Sequence, residues 1–114
     1  MIKKIKSRSD FLRLHQVGRS IVTPGFVLQS AINIKETQIM RFGFTASRKI
    51  GGAVKRNRAK RRLKALINNE IIEKFKSGMD YVLIARQATI YRNFQDMIDD
   101  LNWSIDFIKQ KKYH

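Results

Sequence analysis

The feature that most constrains this chain is the run of 24 residues from Arg41 to Lys64. This run holds ten of the 24 Lys and Arg residues in the chain and none of its nine Asp and Glu residues. It starts as a strand-like segment over residues 40–46, passes through a Gly51-Gly52 joint, and becomes a basic helix at about Ala53. Solvated protein faces usually mix both signs of charge, whereas ten uncompensated cations repel one another strongly. The run therefore predicts a surface that binds a polyanion, and nucleic acid is the natural candidate.

The predicted basic helix is amphipathic, and its polar side consists of cations. Helical spacing places four apolar residues on one side, namely Ala59, Leu63, Leu66 and Ile67. The cations predicted on the opposite side are Arg58, Arg61 and Arg62, with Lys55 at their edge. Arginine outnumbers lysine there, which suits bidentate contacts to phosphate groups.

Three further polar residues of this helix have a less obvious orientation. Arg56 and Lys60 fall nearer the apolar side, so they either extend past it to solvent or face a second RNA surface. Asn57 is neutral among cations, and its amide both donates and accepts hydrogen bonds. It is therefore a candidate for a specific polar contact.

The composition sets limits on the rest of the protein. A chain of 114 residues with 43% hydrophobic residues predicts one folded domain, not a disordered basic tail. A net charge of +15 favours nucleic acid as the partner, and the absence of cysteine excludes disulfides and cysteine-ligated zinc. His15 and His114 are too far apart in sequence to suggest a histidine metal site. No apolar run reaches the length of a membrane span or of a secretory signal, so a cytoplasmic protein with no membrane partner is expected. Residues 1–6 predict a mobile basic arm.

The helix and strand signals predict the order α-β-β-α-β-α in one α+β domain. A first helix starts at a capping group around Ser7 and stops at Gly18. Strands over residues 26–32 and 39–46 are close enough for a hairpin, and the basic helix is expected to continue to about Phe75. A continuous apolar run over residues 81–85 predicts a central strand covered on both faces, parallel to the strand before the basic helix.

The last predicted helix is capped by Asn93 and has one apolar and one acidic face. Its apolar residues follow helical spacing, namely Phe94, Met97, Ile98, Leu101, Ile105 and Ile108. Its outer face is expected to carry four of the nine acids, Asp96, Asp99, Asp100 and Asp106. The acidic face and the basic helix are thus separate elements, and this polarity would orient the protein on RNA.

An ordered set of motifs carries a resemblance to a known family. The set consists of Arg56-Asn57-Arg58 followed by Lys60-Arg61, the preceding run of residues 43–49, the Ile50–Val54 lead-in, and the strand at residues 80–86. At this length and charge the chain resembles the protein component of bacterial ribonuclease P over nearly its whole length. The resemblance implies an α-β-β-α-β-α sandwich with a left-handed βαβ crossover, like the second domain of ribosomal protein S5. Right-handed crossovers are the general rule, and nothing in this sequence alone decides the handedness.

The resemblance also implies roles for individual residues. It assigns contact with the catalytic RNA to five residues of the basic helix, namely Arg56, Asn57, Arg58, Lys60 and Arg61. Lys55 and Arg62 of the same helix are predicted to add to this RNA-binding surface. Arg48 and Lys49 at the joint are expected to add phosphate contacts. A cleft for the single-stranded 5′ leader of precursor tRNA would be built from Phe11, His15 and Phe26, which stack on bases. His15 and Gln29 stand where relatives often carry an aromatic residue, and core packing is the competing interpretation of all three cleft residues.

Protein-based catalysis finds little support in the sequence, so no catalytic residue and no protein metal ligand is predicted. Acid–base or metal chemistry needs convergent carboxylates or a histidine pair, and the acids here lie mostly on the last helix. The resemblance implies instead that the RNA subunit and Mg²⁺, held mainly by RNA, cleave the phosphodiester, and that the free protein is a monomer. Two alternatives stay open, a structural ribosomal protein and a helix-turn-helix DNA regulator, although no base-reading helix or dimer face is evident.

Overall fold

The chain forms a mixed five-stranded sheet with helices packed on both faces. The structure is a computed structural model and describes residues 2–33 and 38–110. The described strands are β1 (Ile2–Lys4), β2 (Arg19–Val22), β3 (Phe26–Ile32), β4 (Met40–Thr45) and β5 (Met79–Ala85). The α-helices are α1 (Arg8–Val17), α2 (Ala53–Leu66), α3 (Asn69–Ile72) and α4 (Phe94–Gln110). Single 3-10 turns occupy Arg48–Ile50 and Gln87–Ile90. None of these helices is both long and apolar enough to cross a membrane.

Strand β5 lies at the centre of the sheet, whose order is β1-β4-β5-β3-β2. It runs parallel to β4 and antiparallel to β3. The predicted central strand and its parallel neighbour are therefore confirmed. The predicted hairpin between β3 and β4 is wrong, because β5 is inserted between them. The apolar run over residues 81–85 therefore lies in a strand with neighbours on both edges and cover on both faces.

The main core fills the space between one face of the sheet and helices α2 and α4. Its central aromatic group is Phe42, Phe75 and Tyr81, with ring centroids 4.6–5.4 Å apart. Leu63 of α2 and Leu101 of α4 are fully buried against it. A smaller cluster lies on the other face under α1 and consists of Ile5, Leu14, Ala31 and Val82. The sheet is thus covered heavily on one face and lightly on the other.

The N-terminal residues take part in the sheet, so the prediction of a mobile arm over residues 1–6 is wrong for the residues described. Residues 2–4 form the parallel edge strand β1 beside β4. Ile5 is buried, and its N–H donates to the Phe42 carbonyl at 2.8 Å. Its apolar side chain belongs to the cluster under α1, and this burial holds the basic segment in place.

The basic helix is shorter than predicted and ends at Leu66, not near Phe75. Ile67 is extended, with φ −93° and ψ 92°. Asn68 then starts a new short helix, α3, by accepting a hydrogen bond from the Ile71 N–H at 3.0 Å. Asparagine is a strong N-cap, and this cap explains the break that helical periodicity alone did not reveal.

Two glycines allow α1 to approach the sheet closely. A Cβ at Gly18 would lie 2.3 Å from the Leu14 carbonyl oxygen and 2.9 Å from that of Ser30. Gly18 ends α1 with φ −75°, so close approach, not a left-handed backbone, requires glycine here. A Cβ at Gly43 would lie 2.7 Å from the Phe11 ring, which occupies the space that the glycine leaves.

Helix α4 begins as predicted, with Asn93 accepting from the Gln95 and Asp96 N–H groups at 2.9 and 3.3 Å. Its predicted acidic face needs one correction. Asp100 is buried, and it accepts hydrogen bonds from the Gly25 N–H at 3.0 Å and from the Arg92 guanidinium at 2.8 Å. A buried carboxylate needs such partners, so Asp100 joins α4 to the β2–β3 turn and does not face solvent.

A buried carboxylate also fixes α1 on the sheet. Asp80, at the start of β5, is fully buried. Arg41 of β4 donates two hydrogen bonds to it, at 2.8 and 2.7 Å, and Arg13 of α1 donates a third. Arg41 also contacts Asp10 of α1 at 3.1 Å. The hydrogen bonding that Arg41 donates to Asp80 is the main reason that the pKa of Arg41 is raised above its usual range.

Replacing Asp80 tests this connection. In Asp80→Asn, Arg13 and Arg41 keep their charges in a largely buried site and lose the buried carboxylate between them, so that only the partly exposed Asp10 still pairs with them. We expect the free energy of unfolding to fall by about 3 kcal/mol in urea denaturation. The exposed Asp106→Asn variant makes the same chemical change and should stay within about 0.5 kcal/mol of the wild type. A loss below about 1 kcal/mol for Asp80→Asn would contradict the role given to this residue.

Candidate RNA interface

Helix α2 exposes four of its cations to solvent because its apolar side is fixed in the core, and these four are Lys55, Arg58, Arg61 and Lys64. Ala59, Leu63 and Leu66 are buried as predicted. The helix starts after a joint in which Gly51 has φ +141°, a conformation that side-chain-bearing residues rarely adopt. The Arg48–Ile50 turn precedes this joint and has the buried Ile50 at its end. The direction of the basic helix is therefore set by the turn and by the core.

The solvent side of α2 is a shallow basic groove along the helix. It is lined by Val54, Asn57, Lys60, Arg61 and Lys64. Arg58 and Lys55 are also exposed. Within residues 2–33 and 38–110, no carboxylate forms an ion pair with a cation of α2. The positive charge of this surface is thus not neutralised by the rest of the described chain.

Arg62 does not belong to that exposed surface, so its predicted orientation is wrong. Its guanidinium donates to the Ile90 carbonyl at 2.6 Å and to the Arg92 carbonyl, and it lies 5.9 Å from the centre of the Phe94 ring. These carbonyls belong to the segment that leads into α4. Arg62 is close enough to the buried side of α2 to reach them, so it joins two elements of the protein.

Arg56 is half-buried, in agreement with its predicted place near the apolar side. Its Nε is buried and has no hydrogen-bond partner in the described structure. Lys60 is also half-buried, but it lines the basic groove. Arg56 therefore lies at the border of the basic surface, whereas Lys60 is part of that surface.

The joint before α2 adds two exposed cations, Arg48 and Lys49. Both lie in the 3-10 turn that precedes the helix. The Gln87 side chain donates to the Lys49 carbonyl, which ties this turn to the 3-10 turn after β5. Arg48 and Lys49 are thus placed next to the start of α2, where they extend the basic surface.

The aromatic residues predicted to form a cleft do not come together as a set. Phe26 is fully buried in the main core, on the face of the sheet covered by α2 and α4. Phe11 packs on the opposite face, over Gly43 and against the small cluster under α1. The prediction that Phe26 belongs to the cleft is therefore wrong. Its neighbour Val27 points to the face that α1 covers, because side chains alternate along a strand.

The face under α1 is only partly covered and forms the open side of the sheet. A row of cross-strand neighbours crosses it, and the row is Val22, Val27, Ile84 and Thr45. Val22 is 60% exposed, and the other three are half-buried. Phe11 and Ile84 pack against the same small cluster, and the next turn of α1 carries the exposed His15.

The sequence contained a signal for this row that the search for aromatic residues missed. In β3 the face opposite Phe26 is occupied by Val27, Gln29 and Ala31. Gln29 is buried, and its side-chain amide donates to the Ser20 hydroxyl at 3.3 Å. The alternation of β3 puts Phe26 and Val27 on opposite faces, and the apolar Phe26 and Leu28 on one face favour that face as the one in the main core.

The acidic residues near these surfaces are engaged by arginines. Asp10 and Asp80 contact Arg41, and Asp100 contacts Arg92. The pKa of Arg92 is raised, first by its hydrogen bond to Asp100. Among the described residues no group of three or more His, Cys, Asp or Glu side chains is arranged to hold a metal ion. Asp10, Asp80 and Asp100 are thus committed to the structure of the protein itself.

The family model described as Ribonuclease P matches residues 2–109 of this chain. The chain belongs to the ribonuclease P protein family. It is 39% identical over 98 residues to the ribonuclease P protein component of Gluconacetobacter diazotrophicus, a match that covers 86% of this chain and 84% of that protein. The corresponding protein of Carboxydothermus hydrogenoformans is 34% identical over 106 residues, covering 93% and 90%.

Solved structures agree with this assignment. The ribonuclease P protein of Staphylococcus aureus superimposes with a TM-score of 0.74 at 26% identity, covering 93% of this chain and 94% of that chain. The mixed α+β fold is therefore that of ribonuclease P proteins. As a member of this family, the chain functions in the 5′ processing of tRNA, as the protein subunit of an endoribonuclease.

Arg62 and Arg61 are adjacent, and the structure separates their roles. In Arg62→Ala, two hydrogen bonds from a guanidinium to carbonyls are lost, and we expect the free energy of unfolding to fall by about 1–3 kcal/mol. Arg62→Lys should restore only part of this, because a lysine lacks the planar fork. Arg61→Ala should unfold within about 0.5 kcal/mol of the wild type. Equal stability of the two alanine variants in urea denaturation would refute the structural role of Arg62.

Proposed function

We propose that the protein holds the catalytic RNA of ribonuclease P on α2 and the leader of precursor tRNA on the open face under α1. The observation that carries this proposal is the separation of two surfaces of different chemistry. One is the basic groove of α2 with the Arg48–Ile50 turn, and the other is the apolar row of the sheet with Phe11 and His15. Each surface suits a different part of the RNA in the complex.

The basic groove suits a structured RNA with a high density of phosphate groups. Arg61, Arg58 and Lys64 are exposed along the solvent side of α2, and Lys60 is half-buried beside them. Because no described carboxylate pairs with these cations, they can neutralise phosphates and release counterions, which stabilises binding in a salt-dependent way. Asn57 lies among them in the groove and supplies a neutral amide for a specific hydrogen bond. Arg48 and Lys49 extend the same surface past the joint.

The open face suits a single strand whose bases are unpaired. Phe11 and His15 form one side, and Val27 and Ile84 form part of the floor. Aromatic and apolar groups bind bases through their faces without selecting a sequence. A leader has no fixed sequence that these residues would need to read, so this form of recognition matches the task.

In this proposal, the RNA subunit and Mg²⁺ carry out the cleavage, and the Mg²⁺ is bound mainly by the RNA. The carboxylates of the protein support this assignment of cleavage to the RNA. Asp10, Asp80 and Asp100 all pair with arginines, so they are not available as metal ligands. When bound, the metal ions activate water and stabilise the developing charge on the phosphate. The protein contributes by placing cations where RNA strands crowd together. We propose that this complex acts in the bacterial cytoplasm and that the free protein is a monomer.

Reconstitution with the cognate ribonuclease P RNA tests the role of α2. The wild-type protein should lower the Mg²⁺ concentration needed for 5′ cleavage of precursor tRNA, and the protein without RNA should not cleave. Arg61→Ala should weaken binding to the catalytic RNA and reduce the magnitude of the slope of log K against log salt by about one. Lys109→Ala removes the same charge from the exposed end of α4 and serves as the matched control. If both variants change the slope equally, α2 is not the specific contact surface.

A second experiment tests the open face. Phe11→Leu removes the aromatic ring but retains most of the apolar volume, and His15→Ala removes an exposed ring without touching the core. Loss of one stacked base costs about 1–3 kcal/mol, so each variant should reduce the preference for precursor tRNA over mature tRNA by about fivefold or more. Binding of the catalytic RNA should be unchanged.

The control for the open face is Leu12→Ala, which changes an exposed residue of the same helix. It should preserve the preference for precursor tRNA, measured as the ratio of the two dissociation constants. The urea midpoint of Phe11→Leu must be recorded alongside, because Phe11 packs over Gly43. A folded pair of Phe11→Leu and His15→Ala proteins with wild-type discrimination would remove this face from leader binding.

A further inference from the structure

A second groove lies at the edge of the sheet, where the C-terminal end of α2 meets strands β1 and β4. Its lining is Lys3, Lys4, Phe42, Phe44, Lys64, Ile67 and Ile72. The groove combines lysines with an aromatic and aliphatic floor. Neither the leader surface nor the role of α2 proposed above includes this floor or β1.

The geometry places the charges at the rim and the apolar groups below. Lys4 is opposite Phe42 in the parallel pair of β1 and β4, so both side chains point to the face covered by α2. Lys64 projects from the other side of the groove, and both lysines are exposed. Phe44, Ile67 and Ile72 are half-buried between them, above the buried Phe42.

Lys64 connects this groove to the basic groove of α2, because it lines both. A polyanion bound along Asn57, Arg61 and Lys64 can therefore continue into the edge groove and stay in contact with positively charged side chains all the way. The acids of the α3 segment, Glu70 and Glu73, are exposed and are not part of the lining. The continuity of charge makes a nucleic acid strand the occupant that fits, because a neutral apolar peptide would not use the lysines.

We propose that the edge groove binds an unpaired nucleotide of the RNA strand that lies along α2. The base lies on Phe44, Ile67 and Ile72, and the adjacent phosphates contact Lys4 and Lys64. A paired base has its faces stacked within the helix, so only an unpaired base can use an apolar floor in this way. This inference rests on the proposed role of α2, and it adds a preference for single-stranded RNA to that role.

The test uses the full-length protein carrying His15→Ala, which weakens the proposed leader surface as a second site for unpaired bases. It compares a short single-stranded RNA of about 12 nucleotides with the same sequence as a blunt duplex. Phe44→Leu removes the ring and should weaken single-strand binding by about fivefold or more without changing the salt slope. Lys4→Ala should weaken single-strand binding and reduce the salt slope by about one. Neither variant should change duplex binding by more than about twofold. Lys109→Ala is the control for removal of one positive charge.

Each other outcome overturns the proposal in a recognisable way. If Lys4→Ala weakens single strand and duplex equally, the groove supplies only general electrostatic attraction. If neither variant has an effect on single-strand binding, the edge groove is not a nucleotide site. Lys4 is exposed on an edge strand, so its variant stays informative even if Phe44→Leu proves unstable. If Arg61→Ala also binds both probes normally, the fault lies with the assigned role of α2 and not with this groove alone.

Discussion

The buried carboxylate of Asp80 is the interaction on which the arrangement of this protein depends. It lies at the start of the central strand and accepts hydrogen bonds from one arginine of α1 and one of the neighbouring strand. A fully buried carboxylate is tolerated only when such partners are present, so the position of α1 is tied to the sheet at one end. The other end of that sheet face is left partly uncovered, and the proposed leader surface is this uncovered part.

The opposite face of the sheet uses a second polar network to position the basic helix. Arg62 joins α2 to the carbonyls of Ile90 and Arg92, and the Arg92 guanidinium in turn contacts Asp100 of α4. Asp100 also accepts from Gly25 in the β2–β3 turn. Among the cations of α2, Arg62 therefore stabilises the fold, whereas several others face solvent. A surface crowded with like charges needs this kind of internal support, because its own repulsion opposes the folded state.

The sequence predicted correctly those features that depend on local periodicity. It did not reveal contacts between residues that are distant in the chain. The apolar side of α2, the central strand β5 and the Asn93 cap all follow from spacing or from a single strong residue preference. The position of Arg62 was missed because its acceptors are backbone carbonyls 28 and 30 residues away in the chain. The hairpin was wrong because pairing between strands is decided by burial of the whole sheet. Phe26 was misplaced because an aromatic residue was weighed above the alternation of its own strand.

The strand order has a consequence for how the protein is made. β5 is the last described strand in the sequence but lies between β3 and β4, and its Ala85 pairs with Phe26, which is about half of the chain away. During synthesis, the basic helix therefore emerges before the strand that completes the sheet beneath it. Until residues 79–85 have left the ribosome, two unpaired strand edges and a run of ten cations are exposed beside ribosomal RNA. The last third of the chain thus closes the sheet, and long-range pairing of this kind slows folding relative to a fold built from local contacts.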